Sequence, residues 1–266
     1  MALSFGNFLR LHTDIRMEKY FNINYEFDRK AVERSIDETL SRNGHGYIAV
    51  ADGVVLNTAQ RDSEYMRVLN DGMFAICDSS YVPLYIRLLY GWKRSQYCGA
   101  MIFEDLVKSR KYRMAFLGTN TATLEALREN VAKTMNADVR DMLFYELPFC
   151  TVDEFDYEGI ARMIEEDGAD IVWVALGAPK QEIFMNRLNG RLSRGVMIAV
   201  GAVFKFFSGN GEKRAPKWIV RCHLEFIYRI MQAPKKQMKR CAWILLTLPG
   251  MLYRELKRKS RSKNRD

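Results

Sequence analysis

A chain of 266 residues, 48% hydrophobic and 27% charged, is long enough for one large domain with an appendage and too apolar for disorder. Its five cysteines are odd in number and lack CxxC spacing, which argues against a disulfide framework or a zinc ribbon and fits a reducing compartment. The net charge of +9 belongs to the tail, where Pro234 to Asp266 holds eleven basic residues against Glu255 and Asp266, so a nucleic-acid-binding body is disfavoured.

The N-terminus, MALSFGNFLRLHTDIR, has no long apolar core, and we expect a protein that is not exported. Short apolar runs then alternate with amphipathic stretches. The pattern predicts strands at Tyr47–Ala51, Met73–Cys77, Arg113–Leu117, Asp170–Leu176 and Val196–Val200. Helices are predicted at Asp28–Arg42, Val54–Asn70, Val82–Tyr90, Thr121–Met135, Glu158–Glu166 and Lys180–Asn189. This alternation predicts an α/β fold of the Rossmann-like type, with a mostly parallel sheet flanked by helices. A C-terminal helical appendage follows it. The expected divisions are a variable segment 1–20, a core 21–210, and an appendage 211–266 with a basic amphipathic tail.

Ligands of such sheets sit beyond the C-terminal strand ends. That rule selects Asp52-Gly53, Asp78-Ser79-Ser80, Gly118-Thr119-Asn120, Gly177 to Gln181, and Gly201. The same residue types also serve as ordinary turns and N-caps, so each loop alone is open to both readings. The sharpest signal is Ile171-Val-Trp-Val-Ala-Leu-Gly-Ala-Pro-Lys-Gln-Glu182. There a buried strand ends at Gly177, where a missing side chain lets a ligand approach the backbone. Pro179 suits the first turn of a helix whose N–H groups point at the strand-end crevice. An anion such as a diphosphate would be held there, with Lys180 adding a charge and Gln181 an amide. The dinucleotide fingerprint GxGxxG does not follow the first predicted strand, which disfavours an oxidoreductase.

LGAPKQE, followed by Gly201-Ala-Val-Phe204, Gly209, Arg214-Ala-Pro-Lys-Trp218, Leu224-Glu225 and Tyr228-Arg229, resembles the WecG/TagA/CpsF family, glycosyltransferase family 26. Upstream, Arg61-Asp62 and Asp78 fall where that family carries its Arg-Asp and its catalytic aspartate, and Phe116-Leu-Gly118 fits its middle strand. The resemblance spans roughly residues 20 to 240. It implies an inverting transfer from a UDP-sugar, of the N-acetylmannosamine type, to a sugar on a polyprenyl diphosphate. No metal or other cofactor is expected. The setting it implies is the inner face of the cell membrane, in the synthesis of teichoic acid, capsule or related surface polysaccharide.

Inversion needs one base for the acceptor hydroxyl, and the matching residue is Asp78. From position alone Asp78 could equally cap a helix beginning near Tyr81. The strand-end rule and the chemistry of the turn make Asp52, Gly118, Gly177, Pro179, Lys180 and Gln181 the expected substrate-binding set. The resemblance also points to Arg214, Arg221 and Arg229 as clamps on the departing diphosphate. Lys217, Arg221, Glu225 and Arg229 recur every four residues, a spacing that a solvated salt ladder shares. The departures lie in the N-terminal half. Val50-Ala-Asp52-Gly53 replaces Thr-x-Asn-Pro, Asp78-Ser-Ser-Tyr81 replaces Asp-Gly-x-Gly, and Gln96 and Met101 replace an arginine and an aspartate. Lys205 stands where GAVFDF carries aspartate. These changes leave open a different donor or acceptor, or a non-catalytic scaffold in a polysaccharide-assembly complex.

The apolar stretch Cys241–Tyr253, interrupted by Pro249-Gly250 and flanked by basic residues, is shorter than the ~17–25 residues of a spanning helix. It reads as an interfacial segment on an anionic membrane, which makes the protein peripheral. The sequence leaves the oligomeric state unassigned.

Overall fold

The computed structural model describes residues 18–135, 137–140, 142–209, 228, 231 and 234–263. The chain opens with a hairpin, β1 (Glu18–Tyr20) and β2 (Ile23–Glu26), then α1 (Arg29–Ser41) and β3 (His45–Ala51). Next come α2 (Gly53–Ala59), α3 (Ser63–Asp71), β4 (Phe74–Cys77), α4 (Val82–Tyr90) and α5 (Gly99–Ser109). The second half runs β5 (Met114–Gly118), α6 (Thr121–Met135), β6 (Leu143–Tyr145), α7 (Tyr157–Asp167), β7 (Ile171–Ala175) and α8 (Lys180–Asn189). It continues with β8 (Gly195–Ala199), α9 (Val203–Phe207) and a long α10 (Pro234–Lys263).

The strands form one eight-stranded sheet in the order β1-β2-β4-β3-β8-β7-β5-β6, parallel except for the β1–β2 hairpin. Alternation along the strands divides the core. Val50, Phe74, Ile76, Phe116, Trp173 and Ile198 face one side, against α1, α5, α6 and α9. Their neighbours Leu117, Val174 and Ala199 face α7 and α8. Ala49, Ala51, Ala75 and Cys77 face α2, α3 and α4. Helices on both faces leave the central strands apolar apart from His45 at the start of β3, as a covered parallel sheet requires.

All five expected strands are present, and five elements escape the sequence pattern: β1 and β2 of the hairpin, α5, β6 and α9. The hairpin turns through Phe21 and Asn22, both with positive φ. That backbone costs a non-glycine residue about 1–2 kcal/mol, and the buried Phe21 ring, at 1% exposure, offsets it by about 1.5–3 kcal/mol. The single helix expected over Val54–Asn70 is two helices. Asp62 breaks it by capping α3, its Oδ1 accepting from Glu64 N at 2.9 Å and Tyr65 N at 3.0 Å.

The tail departs further from expectation. Pro249 lies inside a continuous helix and does not end it. Both halves are held by packing: Met251 is 2% exposed, and Leu248 and Leu252 pack into the α2–α3–α4 cluster beside it. Thr247 Oγ1 bonds Asn57 Oδ1. Ile244 lies where any Cβ on Gly53 would fall, 2.9 Å from its Cδ1. Farther along, the buried Glu255 carboxylate accepts from Tyr90 Oη at 2.7 Å and from Arg258 Nε at 2.9 Å. Burial alone would raise the Glu255 carboxyl, but these donors hold it below the ordinary carboxylate range. Lys259 Nζ donates to the Leu89 carbonyl at 2.6 Å, closing the C-terminal end of α4. No helix among the described residues is long and apolar enough to cross a membrane.

If α10 is a packed part of the domain, Met251→Ala should lower unfolding free energy by about 2–4 kcal/mol. Amide exchange should rise across residues 244–259 in the same variant. A loss below about 0.5 kcal/mol, the level of an ordinary surface substitution, would show that the helix is not held this way.

Candidate active site

Because the central strands are parallel, their C-terminal ends share one edge of the sheet. Ala51 pairs with Cys77, and Gly118 with Ala175, so Asp52, Asp78, Thr119 and Leu176 each begin a loop on that edge. Asp78 follows β4 and Gly177 follows β7, with β3 and β8 between them. Three inter-strand spacings separate the two points, about 14 Å.

Asp78 does not cap α4. Tyr81 occupies that N-cap position and makes no side-chain capping bond. The Asp78 carboxylate instead meets α5, with Oδ1 accepting from Gly99 N at 2.9 Å, while Asp78 N donates to Ala51 O at 3.0 Å. Gln96, at the position of the family's arginine, donates from Nε2 to the Asp78 carbonyl at 3.0 Å. A Cβ on Gly99 would stand 3.3 Å from Val50 Cγ1 and 3.4 Å from Val203 Cγ2, so β3, α5 and α9 close an apolar floor beside the carboxylate. The start of α5 was the missing signal in the sequence: Ala100, Phe103, Leu106 and Val107 already carry helical spacing.

Asp52 is the N-cap of α2, its Oδ1 accepting from Val54 N at 2.8 Å and Val55 N at 2.9 Å. Gly118 has φ +111, and a Cβ there would fall 2.8 Å from the Ala175 carbonyl oxygen. Only glycine fits that close approach of two strands. The start of the following helix, α6, is already met by a carboxylate, since Glu146 accepts from Thr121 N at 2.7 Å.

The β7–α8 turn is more open. Gly177 has φ +79 with nothing within 4 Å of a Cβ position, and Pro179 stands at the N-cap of α8 with no side-chain capping bond. Lys180 reaches away to the loop after β6, donating to the Cys150 carbonyl with its ammonium 4.8 Å from the centre of the Phe155 ring. Gln181 is only 4% exposed. Its Oε1 accepts from Gly177 N at 3.0 Å, its Nε2 donates to Glu182 Oε1 at 2.9 Å, and the amide lies against Gly201 at the end of β8. Glu182 is fully buried and also accepts from Tyr65 Oη of α3 at 3.0 Å. Burial pushes its carboxyl up to about 7, with Asp52 adding to the rise and the bonds from Gln181 and Tyr65 opposing it. Sequence spacing flagged Gln181 but not its buried acidic neighbour. Arg214, Arg221 and Arg229 lie outside the described residues. Among the described residues, no three His, Cys, Asp or Glu side chains gather as a metal site would need.

A covered parallel sheet that brings a carboxylate and an uncapped helix start to one strand-end edge is the layout of an α/β enzyme handling an anionic substrate. The family model described as Glycosyl transferase WecG/TagA/CpsF family matches residues 20–265, and the chain belongs to that family. It is a glycosyltransferase. Among its relatives is the N-acetylglucosaminyldiphosphoundecaprenol N-acetyl-beta-D-mannosaminyltransferase of Bacillus spizizenii (strain ATCC 23059 / NRRL B-14472 / W23). The two are 29% identical over 202 residues, 74% of this chain and 75% of the relative. The protein of the same name from Bacillus subtilis (strain 168) is 29% identical over 204 residues, 71% of this chain and 75% of the relative.

The elevated Glu182 carboxyl sets a sign for stability. The folded state holds this proton up to about pH 7, whereas an unfolded glutamate releases it near 4.5. Its contribution is therefore full below pH 4.5 and is lost as pH rises to about 7. Denaturant melts of wild type and Glu182→Gln across that window should show the wild type losing stability relative to the variant; parallel curves would refute the assignment.

Proposed function

We propose that the protein moves an N-acetylmannosamine-like sugar from a UDP donor to a polyprenyl-diphosphate-linked sugar, with inversion and without a metal, in bacterial surface polysaccharide or teichoic acid synthesis. One observation carries the reading: Asp78 and the open β7–α8 turn share a sheet edge at about sugar-nucleotide distance, roughly three strand spacings apart. The names of the Bacillus relatives support the acceptor and sugar class. Asp78 removes the proton from the acceptor hydroxyl while the bond between the sugar and the diphosphate breaks on the opposite face. The departing charge is met by the positive end of the α8 dipole, because the Lys180 ammonium is held by the Cys150 carbonyl and Gln181 N donates to the Gly177 carbonyl. Arg214, Arg221 and Arg229 are the proposed additional clamps, brought by the appendage.

The membrane side of the reading rests on α10. With Ile244, Leu248 and Met251 turned to the body, Leu245 (67% exposed), Leu246 (81%) and Tyr253 (66%) face outward. Exposed Arg254, Lys257 and Arg261 accompany them. On α4, Leu84 and Leu88 are exposed one helical turn apart. Outward apolar side chains beside cations suit an anionic bilayer surface at the inner face of the membrane.

Asp78→Asn should reduce kcat by about 10²–10⁴-fold, the usual span for a general base, with UDP affinity little changed. Equal turnover by wild type and variant would remove Asp78 from the chemistry, and no turnover by wild type with any lipid-linked acceptor would favour the scaffold. Transfer should persist in excess EDTA; its loss, restored by a divalent cation, would overturn the metal-free mechanism. Full-length protein should float with phosphatidylglycerol vesicles and lose that binding in a Leu245→Glu/Leu246→Glu variant. Equal flotation would exclude the outer face of α10 as the docking surface.

A further inference from the structure

We propose that Glu182 is a positioning residue of the donor site: with Tyr65 it orients the Gln181 amide, and through Gln181 it holds the Gly177 turn. The inference rests on the donor-site reading above. It stands on a continuous chain of hydrogen bonds. Tyr65 Oη donates to Glu182 Oε2 at 3.0 Å, Gln181 Nε2 donates to Glu182 Oε1 at 2.9 Å, and Gly177 N donates to Gln181 Oε1 at 3.0 Å. The members come from α3, α8 and the end of β7, so the chain ties the helix beside the Asp52 loop to the turn that faces the donor.

A carboxyl in the first turn of a helix ordinarily lies in water, where the helix end favours its charge. Here Glu182 is 0% exposed and Tyr65 2%. Burying an ionisable group where an apolar side chain would pack as well is unfavourable unless its hydrogen bonds matter. Those bonds fix a side chain that would otherwise rotate about its terminal torsion. Gln181 must present oxygen to Gly177 N, and its amide then presents N–H toward Glu182. With Gly177 N turned onto Gln181, the turn keeps its left-handed backbone and leaves the Cβ side of Gly177 open to a ligand. Gly201 completes the fit, since the Gln181 amide atoms stand 3.6 Å and 3.9 Å from its Cβ position.

The charge state of Glu182 tunes the hold. As a carboxylate it accepts charge-assisted bonds from both partners; as an acid it offers Gln181 only a neutral carbonyl, a bond about half as strong. The groups facing it are Tyr65 from α3, Asp52 from the loop after β3, Gln181 from its own helix, and Tyr47 of β3. Donor affinity should therefore rise as pH passes through about 7.

The test compares wild type, Glu182→Gln and Tyr65→Phe in full-length protein, by UDP calorimetry and donor kcat/KM from pH 6 to 8.5. Glu182→Gln keeps the shape of the side chain but cannot ionise. It should match wild type within about twofold at pH 6 and fall about tenfold behind at pH 8.5, while Tyr65→Phe keeps the pH dependence at a lower level. A Glu182→Gln profile parallel to wild type, with both variants folded by circular dichroism, overturns the positioning role. Failure of wild-type protein to bind UDP overturns the donor-site reading itself, and this inference with it.

Discussion

The register of the parallel ladder is the constraint on which the active site depends. Hydrogen bonds pairing Ala51 with Cys77, Val174 with Ala199, and Gly118 with Ala175 bring strands far apart in sequence to a common edge. A shift of one residue in any of these pairings would turn every side chain of that strand to the opposite face. It would place Trp173 or Phe116 among the helices on the wrong side of the sheet. The bulky aromatic layer around Phe103, Phe116, Trp173 and Phe204 thus fixes where the strand-end loops of the candidate site emerge.

The second constraint is the cover on the other face. Ala49, Ala51 and Ala75 give α2, α3 and α4 close access to the sheet, and α10 then packs onto those helices. Its contacts at Gly53 and Asn57 reach the loop after β3, one strand from Asp78. A helix carrying the exposed Leu245, Leu246 and Tyr253 is therefore built into the wall of the candidate site.

The strands were legible because fully buried parallel strands appear as continuous apolar runs, and Ile171–Ala175 is a clear example. The hairpin was not, since strands of three and four residues carry too little alternation and its turn uses Phe21 in place of glycine. The break between α2 and α3 was hidden because Asp62 lies in a stretch whose apolar spacing continues across it. Among site residues, position 78 was found by the strand-end rule and given its role by resemblance, whereas its partner at Gly99 required the fold. Glu182 was invisible as a buried group, because an acid in the first turn of a helix is what solvent exposure also produces. Pro249 misled for the opposite reason. A proline inside a helix costs about 3 kcal/mol in isolation, but a helix packed along its length on both sides of the proline can absorb that loss.

The departures from the family pattern are easier to weigh once their contacts are known. Here Val50 in place of threonine joins Gly99 and Val203 in an apolar floor, and Gln96 in place of arginine holds the Asp78 carbonyl. Gly53 in place of proline makes room for Ile244 of α10. Met101 in place of aspartate lies against Arg29, with Nη2 at 3.7 Å from its sulfur. Lys205 alone is simply exposed. Val50, Gly53, Gln96 and Met101 are thus each matched to a neighbour, around the Asp78 carboxylate and the Gly177 turn.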